Sequence, residues 1–206
     1  MLNSSIRVAK IFPIAEAKME LLKRLESSSL GYTVVINGYF LDYWVVPHVK
    51  SYLGGPLLAI DIENKVAAIP GSGEVPIAFT YSFDIGDFVA ALLTQSSWEK
   101  ESYIIGDKIT FNEFLAIAEE VRGAKFETSY DSLETLRAGQ LTELPSHVAG
   151  YPYFPKPMLQ SFFSSFSILF EEGYLNLQPE KTLNDQFPDI KARTVKDLLT
   201  EVWQGK

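Results

Sequence analysis

A helical stretch that runs directly into a buried strand is the strongest constraint on the fold of this chain. Tyr32-Thr33-Val34-Val35-Ile36 is rich in β-branched residues and bounded by Gly31 and Gly38, the composition of a strand covered on both faces in a parallel sheet. Ahead of it, Pro13 through Leu25 has helical periodicity, with Pro13 placed to begin the helix, and Ser27-Ser28-Ser29-Leu30-Gly31 makes the turn between them. A helix followed at once by such a strand is half of a βαβ unit, which predicts the α/β class. The other strands of that sheet are expected ahead of residue 1, leaving Tyr32–Ile36 without neighbours and with edge groups open to pairing with another chain.

Within the helix, Ile14, Ala17, Leu21, Leu22 and Leu25 fall in one stripe at about 100° per residue, and Lys18 falls near its centre. An ammonium aimed at a core carries a desolvation cost and calls for a partner or a task. The alternative is a lysine whose stem packs while its head reaches water.

The remaining chain alternates elements. Lys65–Pro70 and Val75–Thr80 read as short strands joined in a hairpin by Gly71-Ser72-Gly73, which lacks the GxGxxG pattern of a phosphate loop. Asp84–Leu93 reads as a helix with acidic residues in its first turn. Tyr103–Gly106 leads to Thr110-Phe-Asn-Glu113, a capping box opening a helix that Gly123 stops. Lys125–Tyr130 is a strand, and Asp131-Ser-Leu-Glu134 reads as a further box. The segment Leu144–Pro157, with four prolines and four aromatics or histidines, reads as an irregular ordered loop. Met158–Phe170 carries Leu159, Phe162, Phe163, Phe166, Leu169 and Phe170 at helical spacing, an amphipathic helix facing a core or a partner rather than a membrane. The last helix begins near Thr194 with Val195, Leu198, Leu199 and Val202 on one face.

Composition excludes several functions. The 206 residues suffice for one sizeable core, and a net charge of −8 argues against nucleic-acid binding, which needs clustered Lys and Arg. Without cysteine there is no disulfide, thiolate nucleophile or cysteine metal site, and a reducing, cytoplasmic compartment suits the chain. No signal peptide is evident at its start, and the most apolar stretch is too short to span a bilayer. His48 and His147 stand apart with no second ligand at metal spacing, so no metal is expected. No GxSxG elbow is present for a hydrolase, and Glu119/Glu120 and Glu171/Glu172 read as solvated helix ends.

What remains is Lys18, the strand, and Asn37-Gly38-Tyr39-Phe40-Leu41-Asp42-Tyr43 at its carboxyl end. Ligands of open α/β sheets bind beyond the carboxyl ends of strands. Gly38 would let the backbone approach a flat ligand, with Tyr39, Phe40 and Tyr43 as an apolar wall; a glycine turn followed by core aromatics is the alternative.

The stretch AKMELLKRLESSSLGYTVVINGYFLDYWVVP resembles the middle of NmrA-like proteins of the isoflavone-reductase type, atypical short-chain dehydrogenase/reductases, closest to fungal members. The similarity continues through KVAAIPGSGEVPIAFTYSFDIGDFVAALL, SYIIGDKITFNEFLAIAEEVRGAKFETSYDSLETL and NDQFPDIKARTVKDLL, and so covers nearly the whole chain from about Val8. The resemblance implies the carboxyl-terminal part of a Rossmann-type NAD(P)-binding domain (residues 1–46) and a smaller α+β substrate region (47–206) with some elements returning to the first. It implies NADP or NAD as cofactor, Lys18 as the catalytic residue beside the nicotinamide, and Asn37, Gly38, Tyr39 and Phe40 as further cofactor contacts. Tyr43 and His147 are the candidate substrate contacts. The family's amino-terminal strand, glycine-rich turn and helix, which bind pyrophosphate, have no counterpart here, and the expectation is either a shortened or truncated product or one that has lost cofactor binding.

The activity implied is an NAD(P)H-dependent oxidoreduction of a small apolar metabolite, in a tailoring step of secondary, polyketide-like metabolism. The alternatives are a non-catalytic regulatory protein of the same family, working through Leu144–Pro157 and an acidic surface, and an inactive fragment. The expected partner is a small molecule, not nucleic acid or membrane; a homo-oligomer or protein partner stays open.

Overall fold

In the computed structural model, residues 14–55 and 57–206 are described, with side chains from Glu16 onward; Pro13 and the Ile14 side chain, part of the expected helix start and stripe, lie outside them. Helix α1 (Ile14–Glu26) leads to strand β1 (Val34–Ile36), then β2 (Tyr39–Phe40) and a 3-10 turn over Leu41–Trp44. The α/β expectation holds, but β1 corrects two details. It has a sheet neighbour supplied by later chain: β6 (Glu101–Tyr103) runs parallel to it, with Val34 opposite Glu101 and Ile36 opposite Tyr103. And its three residues are half-buried rather than covered on both faces, because among the described residues that sheet has two strands.

Two three-stranded sheets hold the rest. In one, β5 (Ile77–Thr80) lies between β2, to which it is parallel, and β7 (Asp107–Ile109), to which it is antiparallel. In the other, β4 (Val66–Pro70) lies between antiparallel β3 (Ile60–Asp61) and parallel β8 (Glu127–Asp131). The expected hairpin of β4 and β5 does not form: the two strands belong to different sheets. The Gly71 N–H donates to Asp131 O at 2.8 Å, extending the β4–β8 ladder past the strand end. The Gly71–Gly73 segment therefore carries the chain between sheets.

The helices are α2 (Ser82–Leu92), α3 (Phe111–Arg122), α4 (Leu133–Arg137), α5 (Pro145–Gly150), α6 (Lys156–Glu171), α7 (Leu183–Gln186) and α8 (Val195–Trp203). The Thr110/Glu113 box is present in full: Thr110 Oγ1 accepts from Glu113 N and Glu113 accepts from Thr110 N, while left-handed Gly123 ends α3. Thr194 and Asp197 cap α8 in the same way. The box expected at Asp131 is corrected: Ser132 caps α4, and the Asp131 carboxylate instead accepts from Thr142 N and Oγ1. The segment Leu144–Pro157, expected to be irregular, contains α5, with Pro145 at its first position, where a missing N–H costs nothing.

The main core joins Trp44, Phe79, Phe111, Phe114 and Phe170 to the buried face of α8. Each of these rings contributes roughly 1.5–3 kcal/mol of burial. A second, smaller core of Phe88, Leu92, Ile104 and Leu183 packs against Val35 of β1. So the strand that opens the candidate site rests on α2 and on chain from near residue 183.

Candidate active site

The site starts where β1 ends. Asn37 O accepts from Thr80 Oγ1 at 2.8 Å, and Thr80 Oγ1 accepts from Gly106 N at 3.1 Å, fixing the bend to β5 and to the turn before β7. Gly38 then adopts φ +72°, and a Cβ there would stand 2.1 Å from Ala78 O. The glycine is thus required by the crossing of the bend over β5, a reason the sequence reading placed instead with a ligand. Tyr39 and Phe40 pair with Phe79 and Thr80, which sets the direction of both side chains.

The bend lines a cavity of about 380 Å³, within the size range of small-molecule sites. The structure brings Lys18, Gly38, Tyr39, Phe40 and Tyr43 together on its wall. Sequence reasoning missed the opposite wall, where α6 presents Leu159, Phe162, Phe163 and Phe166, and where Gly54, Gly55 and Phe154 close the rim. The signal was there in part: α6 has more aromatics than one core-facing stripe needs. Leu159 and Phe163 are buried and Phe162 is 41% exposed, so the apolar arc of α6 serves both core and cavity.

Lys18 itself is corrected. Its side chain is exposed, as are Ala17 and Leu21, whereas Met19, Leu22 and Leu25 are half-buried. The inward face of α1 is rotated toward Met19, leaving Lys18 at the margin of that face instead of its centre. From there the amine reaches the cavity without crossing a core, and it makes no salt bridge among the described residues. A hydrated cation at the edge of an apolar chamber is free to meet an incoming polar group.

Beneath the bend, Asp42 is fully buried. Its carboxylate accepts from Ser51 Oγ at 2.6 Å, from Ser82 Oγ at 2.5 Å and from Ser82 N at 2.9 Å, tying the 3-10 turn to the start of α2 and to the loop that reaches the cavity rim. Burial, and secondarily Tyr43, pushes the Tyr39 hydroxyl far above its ordinary pKa. Burial, then the Asp42 charge, raises Tyr43. Both phenols stay protonated at neutral pH, so neither acts as a base; the ring of Tyr39 packs on Tyr43 at 5.5 Å and on Phe170 at 5.2 Å.

His147 does not line this cavity. It is buried, Nδ1 accepts from Leu144 N at 3.2 Å, and Nε2 meets Leu57 O at 2.8 Å. With Nδ1 accepting, the proton sits on Nε2, and the neutral ring is consumed in holding α5 to the loop before β3. Burial lowers its pKa, against smaller opposing effects of the Leu57 carbonyl, Glu143 and Asp61. A depressed histidine pKa contributes stability that is present above the ordinary value of about 6.5 and declines as pH falls toward the folded-state value. Urea unfolding is expected to show that decline below neutrality, and His147→Asn is expected to flatten it.

Among the described residues no group of His, Asp or Glu is placed to hold a metal. The paired carboxylates are engaged elsewhere: Glu119 with Lys125, Glu120 with Lys196 and Glu172 with Arg137. For a dinucleotide, the residues present fit the nicotinamide end. Lys18 adds a cation beside apolar rings; Asn37, expected as a further cofactor contact, does not line the cavity, because its Nδ2 is buried in the fold, where it has no hydrogen-bond partner.

A glycine bend and an exposed lysine thus stand at the carboxyl end of a parallel strand, in an α/β fold that solved structures share. No family model matches the chain. It is 33% identical over 179 residues to the oxidoreductase BOA1 of Botryotinia fuckeliana, covering 86% of this chain and 56% of that protein. It is 27% identical over 198 residues to the oxidoreductase swnN of Metarhizium robertsii, covering 93% and 56%. The chain thus spans little more than half the length of these relatives. Among solved structures, the leucoanthocyanidin reductase–NADPH complex from Vitis vinifera shares the fold, with TM-score 0.67 and 18% identity over 93% of this chain and 59% of that one. The resemblance to NmrA-like, isoflavone-reductase-type atypical short-chain dehydrogenase/reductases is borne out by these fungal oxidoreductases and this fold.

Proposed function

We propose that the chain works as an NADPH-dependent oxidoreductase on a small, largely apolar metabolite, with the Lys18 cavity as the place where nicotinamide and substrate meet. The observation that carries this reading is the convergence of Lys18, Gly38, Tyr39 and Phe40 on one aromatic-walled cavity. When bound, the cofactor supplies the hydride. The chain's own residues do the rest. Tyr39 and Phe40 form the surface against which a planar ring lies, and Phe162 and Phe166 exclude water from the opposite side. Lys18 holds a proton at Nζ, where it orients a ribose hydroxyl or protonates a developing oxyanion on the substrate.

The apolar walls suit an aromatic or polyketide-like substrate, and the reaction proposed for it is a tailoring step of secondary metabolism. The cofactor's pyrophosphate has no evident holder among the residues lining this cavity, whose only cation is Lys18. The test is steady-state NADPH oxidation by the full chain over a panel of aryl ketones and quinones. Lys18→Ala is expected to cut kcat by about 10²–10⁴-fold, the weight of a positioned proton donor. Thermal stability should be unchanged, because the Lys18 side chain is exposed. Equal kcat in the variant, or no oxidation of NADPH with any member of the panel, would contradict the reading.

A further inference from the structure

Beside the Lys18 cavity lies a second one of about 440 Å³, and the two share Tyr43, Gly55 and Phe154 as a common wall. Nothing in the proposed reduction uses it. At Gly55 the shared wall carries no side chain, and a Cβ there would meet nothing within 4 Å. What stands at the seam is therefore the half-buried Tyr43 and the ring of Phe154, itself 48% exposed. Phe154 is held in place from both sides. Its N–H donates to Gly150 O at 2.9 Å, and Glu143 grips the chain around it, accepting from Tyr151 Oη and, at 2.6 Å, from Lys156 Nζ. Beyond the seam, the buried part of the wall is apolar. Trp44 Nε1 donates to Ile60 O and Trp203 Nε1 donates to Trp44 O, both at 3.1 Å, so neither indole has a donor left to offer. Tyr153 and Glu63 on the same wall are exposed and keep their water, so a ligand that brings no polar group to this cavity strands none of theirs.

We propose that the two cavities form one binding site for an aryl ketone with an alkyl tail. The ring and carbonyl lie in the Lys18 cavity, and the tail passes over Gly55, between Tyr43 and Phe154, into the second cavity. The placing of the carbonyl rests on the oxidoreductase reading; the length of tail accepted does not. An unbranched chain suits a passage between two rings, and each methylene moved from water onto the surface of Trp44 and Trp203 strengthens binding. Ala149 is exposed on α5 and lines the second cavity without lining the first. Bulk added there shortens the space for the tail and leaves the place of the ring untouched.

Equilibrium dialysis of the full chain, without NADPH, against acetophenone, hexanophenone and decanophenone tests it. Affinity is expected to rise about two- to fourfold per methylene from acetophenone to hexanophenone, with one molecule bound per chain. Ala149→Phe should weaken decanophenone by about tenfold or more while leaving acetophenone within about twofold. Its thermal midpoint should match the parent's, because the position is exposed. Ala149→Leu adds less bulk and should shift the same balance less; if either variant fails to fold, the other, with the parent's stoichiometry and length dependence, decides. Affinity independent of tail length, two molecules per chain, or one length profile shared by the parent and a folded Ala149 variant would overturn the proposal. Because NADPH is absent from the dialysis, tail-length dependence without turnover would refute the reduction alone, and turnover without it would refute this site alone.

Discussion

Gly38→Ala is expected to lower unfolding free energy by about 2–5 kcal/mol, combining a left-handed backbone penalty with overpacking against a neighbouring strand. The residue sits at φ +72°, and the added methyl would meet Ala78 O at 2.1 Å and Ala78 C at 2.7 Å. Those are backbone atoms of β5, the central strand of its sheet, so no side-chain rotation relieves the contact. Either the bend lifts off β5 or the strand pair β2–β5 separates, and both displace Tyr39 and Phe40 from the cavity wall. Urea unfolding should show a lower midpoint with an unchanged slope. Gly54→Ala provides the contrast: it lines the same cavity, but a Cβ there meets nothing within 4 Å, so its stability should stay within about 0.5 kcal/mol of the parent.

Asp42→Ala should be comparably severe, at about 3–5 kcal/mol, because it strands donors in a buried setting. Ser82 N, Ser82 Oγ and Ser51 Oγ all lose their acceptor, and two of them fix the start of α2, whose far side carries Phe88 and Leu92 of the small core behind β1. Asp42→Asn keeps one carbonyl acceptor and should cost less. A double-mutant cycle with Ser82→Ala should show coupling, since the second change removes a hydroxyl that the first would leave unpaired.

Both predictions concern residues whose importance was only half legible in the chain. Elements governed by local chemistry read directly. The Thr110/Glu113 box and Gly123 bound α3 because capping depends on residues a few positions apart. The faces of α6 and α8 followed from helical spacing. Pairing between distant strands did not read. Nothing local tells β4 and β5 that they serve different sheets, or β1 that its partner lies at Glu101–Tyr103.

Of the candidate residues, Lys18, Gly38, Tyr39, Phe40 and Tyr43 line one cavity, for reasons partly different from those read in the chain, while Asn37 and His147 do not line it. Gly38 answers to Ala78 rather than to a ligand, and Lys18 stands at a helix margin rather than within an apolar stripe. His147 was legible as a histidine among aromatics, yet whether its ring faced a cavity or a backbone carbonyl depended on Leu57, ninety positions away. The α6 wall and the Gly54–Gly55 rim escaped because a concave surface is built from segments far apart in the chain.

The central claim is that a nicotinamide cofactor comes to rest against Lys18 and the Gly38–Phe40 bend. Reductive methylation of the full chain, followed residue by residue by mass spectrometry with and without NADPH, tests this most directly. Lys18 and Lys23 are both exposed on α1 and differ in facing or not facing the cavity. Saturating NADPH is predicted to slow labelling of Lys18 while leaving Lys23 unchanged. Equal labelling of the two lysines in bound and free protein, or no binding of NADPH at all, would contradict the account.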